Sequence, residues 1–125
     1  MPVVVMQLGK GIDDAGIFGV PLENVGHGPA MGIHLEIAGQ GVTAGPTLLA
    51  SGATRDVEIV RVPTEILPGP LRLLIHCHDV PKARSYLTTI DLARANRDAM
   101  TALRPINTEH TSAPMPDTWP PPTQE

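Results

Sequence analysis

The sequence predicts a small, mainly β protein, an antiparallel β-sandwich or barrel with one late helix and an extended proline-rich C-terminal tail. Short runs rich in Val, Ile and Leu recur at intervals of roughly ten residues, as they do in sandwiches and barrels. The 14 prolines and 12 glycines are spread along the chain rather than gathered in a repeat, so they divide it into short pieces. In the clearest runs, apolar and polar residues alternate with the period of a strand.

With 125 residues, the chain is long enough for one domain with a real core. We assign residues 1–104 to a single β-rich domain and residues 105–125 to an extended tail or arm. The core must be built from aliphatic side chains, because 42% of the residues are hydrophobic while only Phe18, Tyr86 and Trp119 are aromatic.

The first predicted strands are marked by β-branched residues and bounded by glycine. Residues 2–8 (PVVVMQL) form a first strand that Gly9 ends. A glycine-rich connection follows over residues 10–31. Within it, residues 16–22 (GIFGVPL) add a short edge strand, since Pro21 is tolerated only at a sheet edge.

The strongest alternation lies in residues 32–39 (GIHLEIAG). It predicts a half-buried strand that carries His34 and Glu36 on its outer face. Two further strand candidates follow, a short apolar run at residues 47–50 and a longer run at residues 55–62.

The clearest turn is Pro68-Gly69-Pro70, which forces a chain reversal within residues 65–79. In the strand that follows, alternation places His76 and His78 on one face. Cys77 lies on the opposite face, where it is expected to be a small buried hydrophobe.

Residues 85–92 (SYLTTIDL) are rich in strand formers and predict a hairpin partner for that strand. Beyond them, four apolar residues share one helical face: Leu92, Ala95, Ala99 and Leu103. Asp91 is available as the N-cap of such a helix. We therefore predict a strand and then a helix that stops before Pro105.

Residues 113–125 (APMPDTWPPPTQE) cannot form a helix or a central strand. A free segment of this kind is expected to be extended and solvated, so order in it would indicate a partner surface. The predicted interface residues are Pro114, Pro116, Trp119, Pro120, Pro121 and Pro122.

Composition argues against several classes of function. The net charge is −4 and the nine Lys and Arg residues are scattered, so we expect no nucleic-acid partner. No apolar run approaches the roughly 20 residues that span a bilayer, and the first residues do not resemble a signal peptide. We expect no membrane partner and a location in the cytoplasm or in a virion. The single cysteine excludes an internal disulfide.

One constellation is suited to metal chemistry. His76 and His78 lie on one face of their strand, and if the strand with His34 and Glu36 is its neighbour, three imidazoles and one carboxylate converge. In residue type this set resembles the ligand complement of cupins, but no glutamate follows His78 as it does in the cupin motif. We therefore assign the chain to no family.

Two other motifs have simpler interpretations. Residues 39–44 (GQGVTA) match the spelling of a dinucleotide-binding turn, but Pro46 and Gly52 leave little room for the helix that such a turn requires. A glycine-rich hairpin loop explains them better. Ser51 lacks the flanking glycines of a nucleophile elbow.

The favoured hypothesis is a non-enzymatic structural or assembly subunit without a cofactor. It would pack on itself as a homo-oligomer or on other assembly proteins, for example as a virion decoration, capsid or tail component. The alternative is a small metal-binding β-barrel enzyme that uses His34, Glu36, His76 and His78 with a divalent transition metal.

Overall fold

A computed structural model describes residues 1–6, 11–12, 18–37, 41–59, 71–80, 84–96 and 99–119. All regular structure in these residues is β-strand, in two antiparallel sheets, which confirms the predicted fold class. The strands are β1 (Val4–Met6), β2 (Gly11–Ile12), β3 (Phe18–Asn24), β4 (Ala30–Ile37), β5 (Gly41–Ala44), β6 (Leu48–Leu49), β7 (Thr54–Ile59), β8 (Leu71–His78), β9 (Arg84–Asn96) and β10 (Ala99–Pro114). Within the described residues, no helix is long and apolar enough to cross a membrane.

The first sheet is built around β3. Strands β1 and β2 pair with opposite ends of one side of β3, and β7 pairs with its other side. The prediction of an edge strand at residues 16–22 was therefore wrong for the residues described. Pro21 is tolerated in this central strand because it lies at the junction between β1 and β2, neither of which pairs with it.

The second sheet has the order β10-β9-β8-β4-β5, and β6 also pairs with β4. The predicted pairing of residues 85–92 with the preceding strand is confirmed, since Leu71 to His78 pair with Leu92 to Ser85. Gly41 begins β5, which returns along β4, so no helix starts at this point as a dinucleotide-binding turn would need.

The predicted late helix was wrong. The residues assigned to it lie in β9 and β10, which form a long hairpin with Ala99 opposite Asn96 and Pro105 opposite Leu92. The strand pairing already holds Leu92 extended, and a second strand satisfies its backbone groups. This tertiary context outweighs a weak helical pattern of Leu and Ala. Residues 105–114, which we assigned to the tail, belong to β10.

The core lies between the two sheets and is aliphatic. Its buried members come from both sheets: Val4, Met6, Val20, Leu22, Ala30, Ile33, Leu35, Ile37, Leu49, Val57, Leu73, Ile75, Cys77, Ile90 and Leu92. Cys77 is 2% exposed, which confirms that it packs as a small hydrophobe.

A buried polar residue ties the sheets together. The Asn24 side chain is fully buried at the end of β3, and its Nδ2 donates hydrogen bonds to the carbonyl oxygens of Gly28 (2.9 Å) and Leu49 (3.0 Å). Its Oδ1 accepts from the backbone N–H groups of Val3 (3.2 Å) and Gly26 (3.1 Å). Every donor and both acceptor positions of the amide are thus used, so this group incurs no penalty for burial.

Candidate functional site

The histidines that the sequence singled out lie on the outer face of the second sheet. β4 and β8 are neighbours, and His34 lies directly opposite His76 in their ladder. His78 follows His76 by two residues on the same strand and therefore shares its face. With Trp119, which packs against this face, these residues form what we call the histidine–tryptophan cluster.

Trp119 is bound by the chain's own sheet. Its Nε1 donates a hydrogen bond to the Gly32 carbonyl oxygen at 2.9 Å. Its ring meets the His78 ring edge to face, with centroids 5.2 Å apart, and meets the His34 ring in the same manner at 6.2 Å. The half-buried Trp119 is therefore held by one hydrogen bond and two aromatic contacts.

Backbone hydrogen bonds orient two of the imidazoles. His34 Nδ1 donates to the Gly32 carbonyl oxygen at 2.8 Å, and His78 Nδ1 donates to the Asp79 carbonyl oxygen at 2.8 Å. These bonds place the Nδ1 proton on each ring, so that Nε2 carries the lone pair in the neutral form.

Gly32 makes the close packing of the cluster possible. Its φ is +58°, in the left-handed region that favours glycine. A Cβ at this position would lie 2.8 Å from His78 Nε2 and 2.8 Å from Trp119 Nε1. Any other residue would thus displace either the tryptophan or the histidine.

His76 has a ring nitrogen that is shielded from solvent. Its Nε2 is buried and has no hydrogen-bond partner. Burial lowers the pKa of His76 below the ordinary value of 6.5, and the nearby His34 lowers it further. This imidazole is consequently neutral at physiological pH.

The four residues of the metal hypothesis share a face without forming a metal-holding group. Glu36 is only 2% exposed and lies opposite Leu74 and Val42. In the part of the chain that the structure describes, no three His, Cys, Asp or Glu side chains are arranged to hold a metal ion. The Trp119 ring packs against His34 and His78, where a shared ligand would otherwise be expected.

Two concave regions flank the β9–β10 hairpin, and both are small. A groove of about 160 Å³ on the outer face is lined in part by His76, Leu87 and Thr111. A cavity of about 80 Å³ on the inner side is lined in part by Met1 and His110. Typical ligand pockets are several times larger, so these two regions are too small for an ordinary organic substrate.

The remaining nucleophile candidates are poorly placed for catalysis. Burial in the core raises the pKa of the Cys77 thiol to about 12, and the negative charge of Asp79 adds to this. A thiol with such a pKa forms almost no thiolate near neutral pH. The Ser51 hydroxyl donates a hydrogen bond to the Gly26 carbonyl oxygen and serves to fix a turn.

The predicted interface residues of the tail have different surroundings. Pro114 is exposed at the end of β10, opposite Arg84, and Pro116 is half-buried. Trp119 contacts the chain's own sheet, as described above. Pro120, Pro121 and Pro122 lie outside the described residues. The partner surface that orders Trp119 is therefore in the same chain.

A second surface was missed in the sequence. Residues 106–113 of β10 are all exposed, and among the described strands β10 pairs with β9 alone. We call this stretch the β10 edge. Its sequence, INTEHTSA, contains three β-branched residues between two prolines, which is a recognisable strand signal. Its mostly polar residues show no clear period, which is why the sequence predicted a tail from residue 105 onward.

The chain matches no known protein family, no curated protein and no solved structure. Two features distinguish the described surface. One is the histidine–tryptophan cluster, in which Trp119 packs against the imidazoles, and the other is the β10 edge.

Proposed function

We propose that this protein is a non-enzymatic structural subunit that assembles by strand addition at the β10 edge. The single observation that supports this proposal is the exposure of all residues from 106 to 113 on a strand that, among the strands the structure describes, pairs on one side only. An edge strand presents unpaired N–H and C=O groups, and another strand can bind them through a row of main-chain hydrogen bonds.

The composition of the β10 edge supports this role. Soluble proteins usually protect an edge strand with lysine, proline, a bulge or short length. β10 has a proline at each end of the exposed stretch, and the ladder register shifts between Pro105 and Asn107. Between these prolines there is no lysine and no further proline, and Glu109 is the single acidic residue. The edge is thus bounded at its ends and open in its middle.

The site geometry favours assembly over catalysis. In the histidine–tryptophan cluster, the chain's own Trp119 packs against the imidazoles. The most reactive type of side chain present, the thiol of Cys77, is buried in the core. The net charge of −4 disfavours a nucleic-acid partner. A subunit in a repeating assembly, such as a virion decoration, capsid or tail component, fits this combination without needing a pocket.

The metal-binding alternative would need a further ligand. His34 and His76 face each other across the ladder, and His76 Nε2 lacks a partner, which are favourable features for a metal site. A third protein ligand would have to come from outside the described residues or from another chain. Metal analysis of the purified protein, with His76→Ala as control, tests this alternative.

Hydrogen–deuterium exchange at two protein concentrations tests the proposal directly. We expect those backbone amides of residues 106–113 that point away from β9 to exchange more slowly at high concentration, because they become hydrogen-bonded to an added strand. Strand β7 (Thr54–Ile59) is a matched control, since among the described strands it pairs only with β3 and yet is not proposed to associate. Exchange at residues 106–113 that does not depend on concentration would contradict the proposal.

A further inference from the structure

We propose, on the basis of the assembly function above, that the partner is a second copy of this chain, and that the two β10 edges pair antiparallel in a register centred on His110. The exposed run from Ile106 to Ala113 has eight residues, bounded by Pro105 and Pro114. A run of this length is long enough for a ladder between two edges.

Symmetry restricts the possible registers. Two identical edge strands that pair antiparallel are related by a two-fold axis perpendicular to the sheet. Such an axis does not turn the sheet over, so each strand keeps the same side chains on the same face, and residues directly opposite each other must point to the same face. This condition is met only when one residue lies opposite its own copy across the axis. The registers that use most of the exposed run are centred on its two middle residues, Glu109 and His110.

Electrostatics separates the two registers. Centring on Glu109 would place it directly opposite the partner's Glu109, and like charges in that position destabilise a sheet. Centring on His110 places Glu109 opposite the partner's Thr111, a carboxylate opposite a hydroxyl. It also places Thr108 opposite the partner's Ser112, a pair of hydroxyls. The His110 register thus avoids a repulsive pair and gains polar pairs on both faces.

The side chain of His110 is held in place for this contact. Its Nδ1 lies 3.0 Å from Thr88 Oγ1, and the Thr88 hydroxyl donates to the Val4 carbonyl oxygen at 2.8 Å. The imidazole therefore donates through Nδ1, and in its neutral form Nε2 carries the lone pair. His110 nevertheless remains exposed, so a symmetry-related imidazole can approach it.

Oxidative cross-linking of the full-length protein tests the register. In the proposed pair Asn107 lies directly opposite the partner's Ala113, with Cα atoms about 4.5–5.5 Å apart, a distance that a disulfide can bridge. In the register centred on Glu109 it lies opposite the partner's Thr111 instead, and a displacement of two residues exceeds the ~7 Å limit for a disulfide. Cysteines at these positions leave Glu109 and His110 in place. We expect a mixture of Asn107→Cys and Ala113→Cys to form a covalent dimer at least about tenfold faster than a mixture of Asn107→Cys and Thr111→Cys, as seen on non-reducing gels. Cys77 is 2% exposed and serves as an internal unreactive thiol.

The outcomes separate this inference from the proposed function. Fast cross-linking of the Asn107→Cys and Ala113→Cys mixture, with slow cross-linking of the Asn107→Cys and Thr111→Cys mixture, supports the register. Faster cross-linking of the second mixture, or slow cross-linking of both in a protein that still shows concentration-dependent protection of the β10 edge, overturns the register and leaves the assembly function standing. Slow cross-linking of both without such protection overturns the register and contradicts the assembly function.

Discussion

At the scale of single residues, Asn24 is the clearest structural determinant. Its amide links the N-terminal segment, the loop after β3 and β6 through four hydrogen bonds. We expect Asn24→Leu, which keeps the side-chain size but leaves buried backbone groups unpaired, to reduce the free energy of unfolding by about 2–4 kcal/mol. Urea denaturation measures this change.

Asn107 provides the matched control for Asn24. It is exposed, and its Nδ2 donates one long hydrogen bond to Asp91 Oδ2 at 3.5 Å. Asn107→Leu should therefore change the free energy of unfolding by less than about 0.5 kcal/mol. Equal losses for the two variants would show that the Asn24 network does not stabilise the fold.

The docking of Trp119 depends on Gly32. We expect Gly32→Ala to reduce the free energy of unfolding by about 1–3 kcal/mol. The backbone φ at this position is positive, which disfavours any side chain, and the new methyl group would collide with both His78 and Trp119. The emission of Trp119, the one tryptophan of the chain, should shift to longer wavelength as the ring becomes solvated.

A substitution at Gly52 is the control, because it separates the effect of backbone strain from the effect of a collision with Trp119. The φ of Gly52 is +80°, but a Cβ there would meet nothing within 4 Å. Gly52→Ala should therefore destabilise the protein without shifting the tryptophan emission. An unchanged emission spectrum in Gly32→Ala would mean that Trp119 is not held against Gly32 in solution.

At the scale of elements, the strands with strict alternation could be predicted from sequence, whereas the state of residues 92–103 could not. The alternation around His34 reports burial on one face, which is a local property of the chain. Leu92, Ala95, Ala99 and Leu103 satisfy a helical period equally well, and their true state is decided by pairing between distant segments. A sequence pattern contains no direct information about such pairing.

The same limit applied to the candidate site. Alternation placed His76 and His78 on one face, and the ladder added His34 opposite His76. The contact of Trp119 with Gly32 spans 87 residues of sequence and depends on how β10 ends and turns back. Proline content alone indicated an extended tail and could not indicate where the tail docks.

The β10 edge gives a prediction that depends on the element as a whole. His110→Lys and His110→Glu should each weaken self-association about fivefold, because each places like charges opposite each other on the two-fold axis. A mixture of the two variants should associate more strongly than either alone. Sedimentation velocity measures these affinities.

The same two substitutions, to lysine and to glutamate, at Asn107 are the control for that experiment. In the proposed register Asn107 lies opposite the partner's Ala113, so Asn107→Lys and Asn107→Glu should show no preference for each other. Preferential mixing at position 107, or its absence at position 110, would argue against the register.

At the scale of the whole molecule, His76 links stability to pH. Because its folded pKa is lowered from 6.5, the folded state binds fewer protons at this site than the unfolded state does in mildly acidic solution. This contribution to stability is complete above about pH 6.5 and is lost as the pH falls through the folded pKa. We expect thermal stability to decline below that pH less steeply in His76→Gln than in the wild type. Identical pH profiles would contradict this prediction.

The most direct test of the assembly proposal is native mass spectrometry of the full-length chain over a range of concentrations. The variant to compare carries Thr108→Lys and His110→Lys, which protect the β10 edge with charge. A variant with His27→Lys and Ala50→Lys has the same added charge at exposed turn positions. We predict dimers or larger species for the wild type and the turn variant, and monomers for the edge variant. A wild-type chain that remains monomeric at every concentration would contradict the proposal.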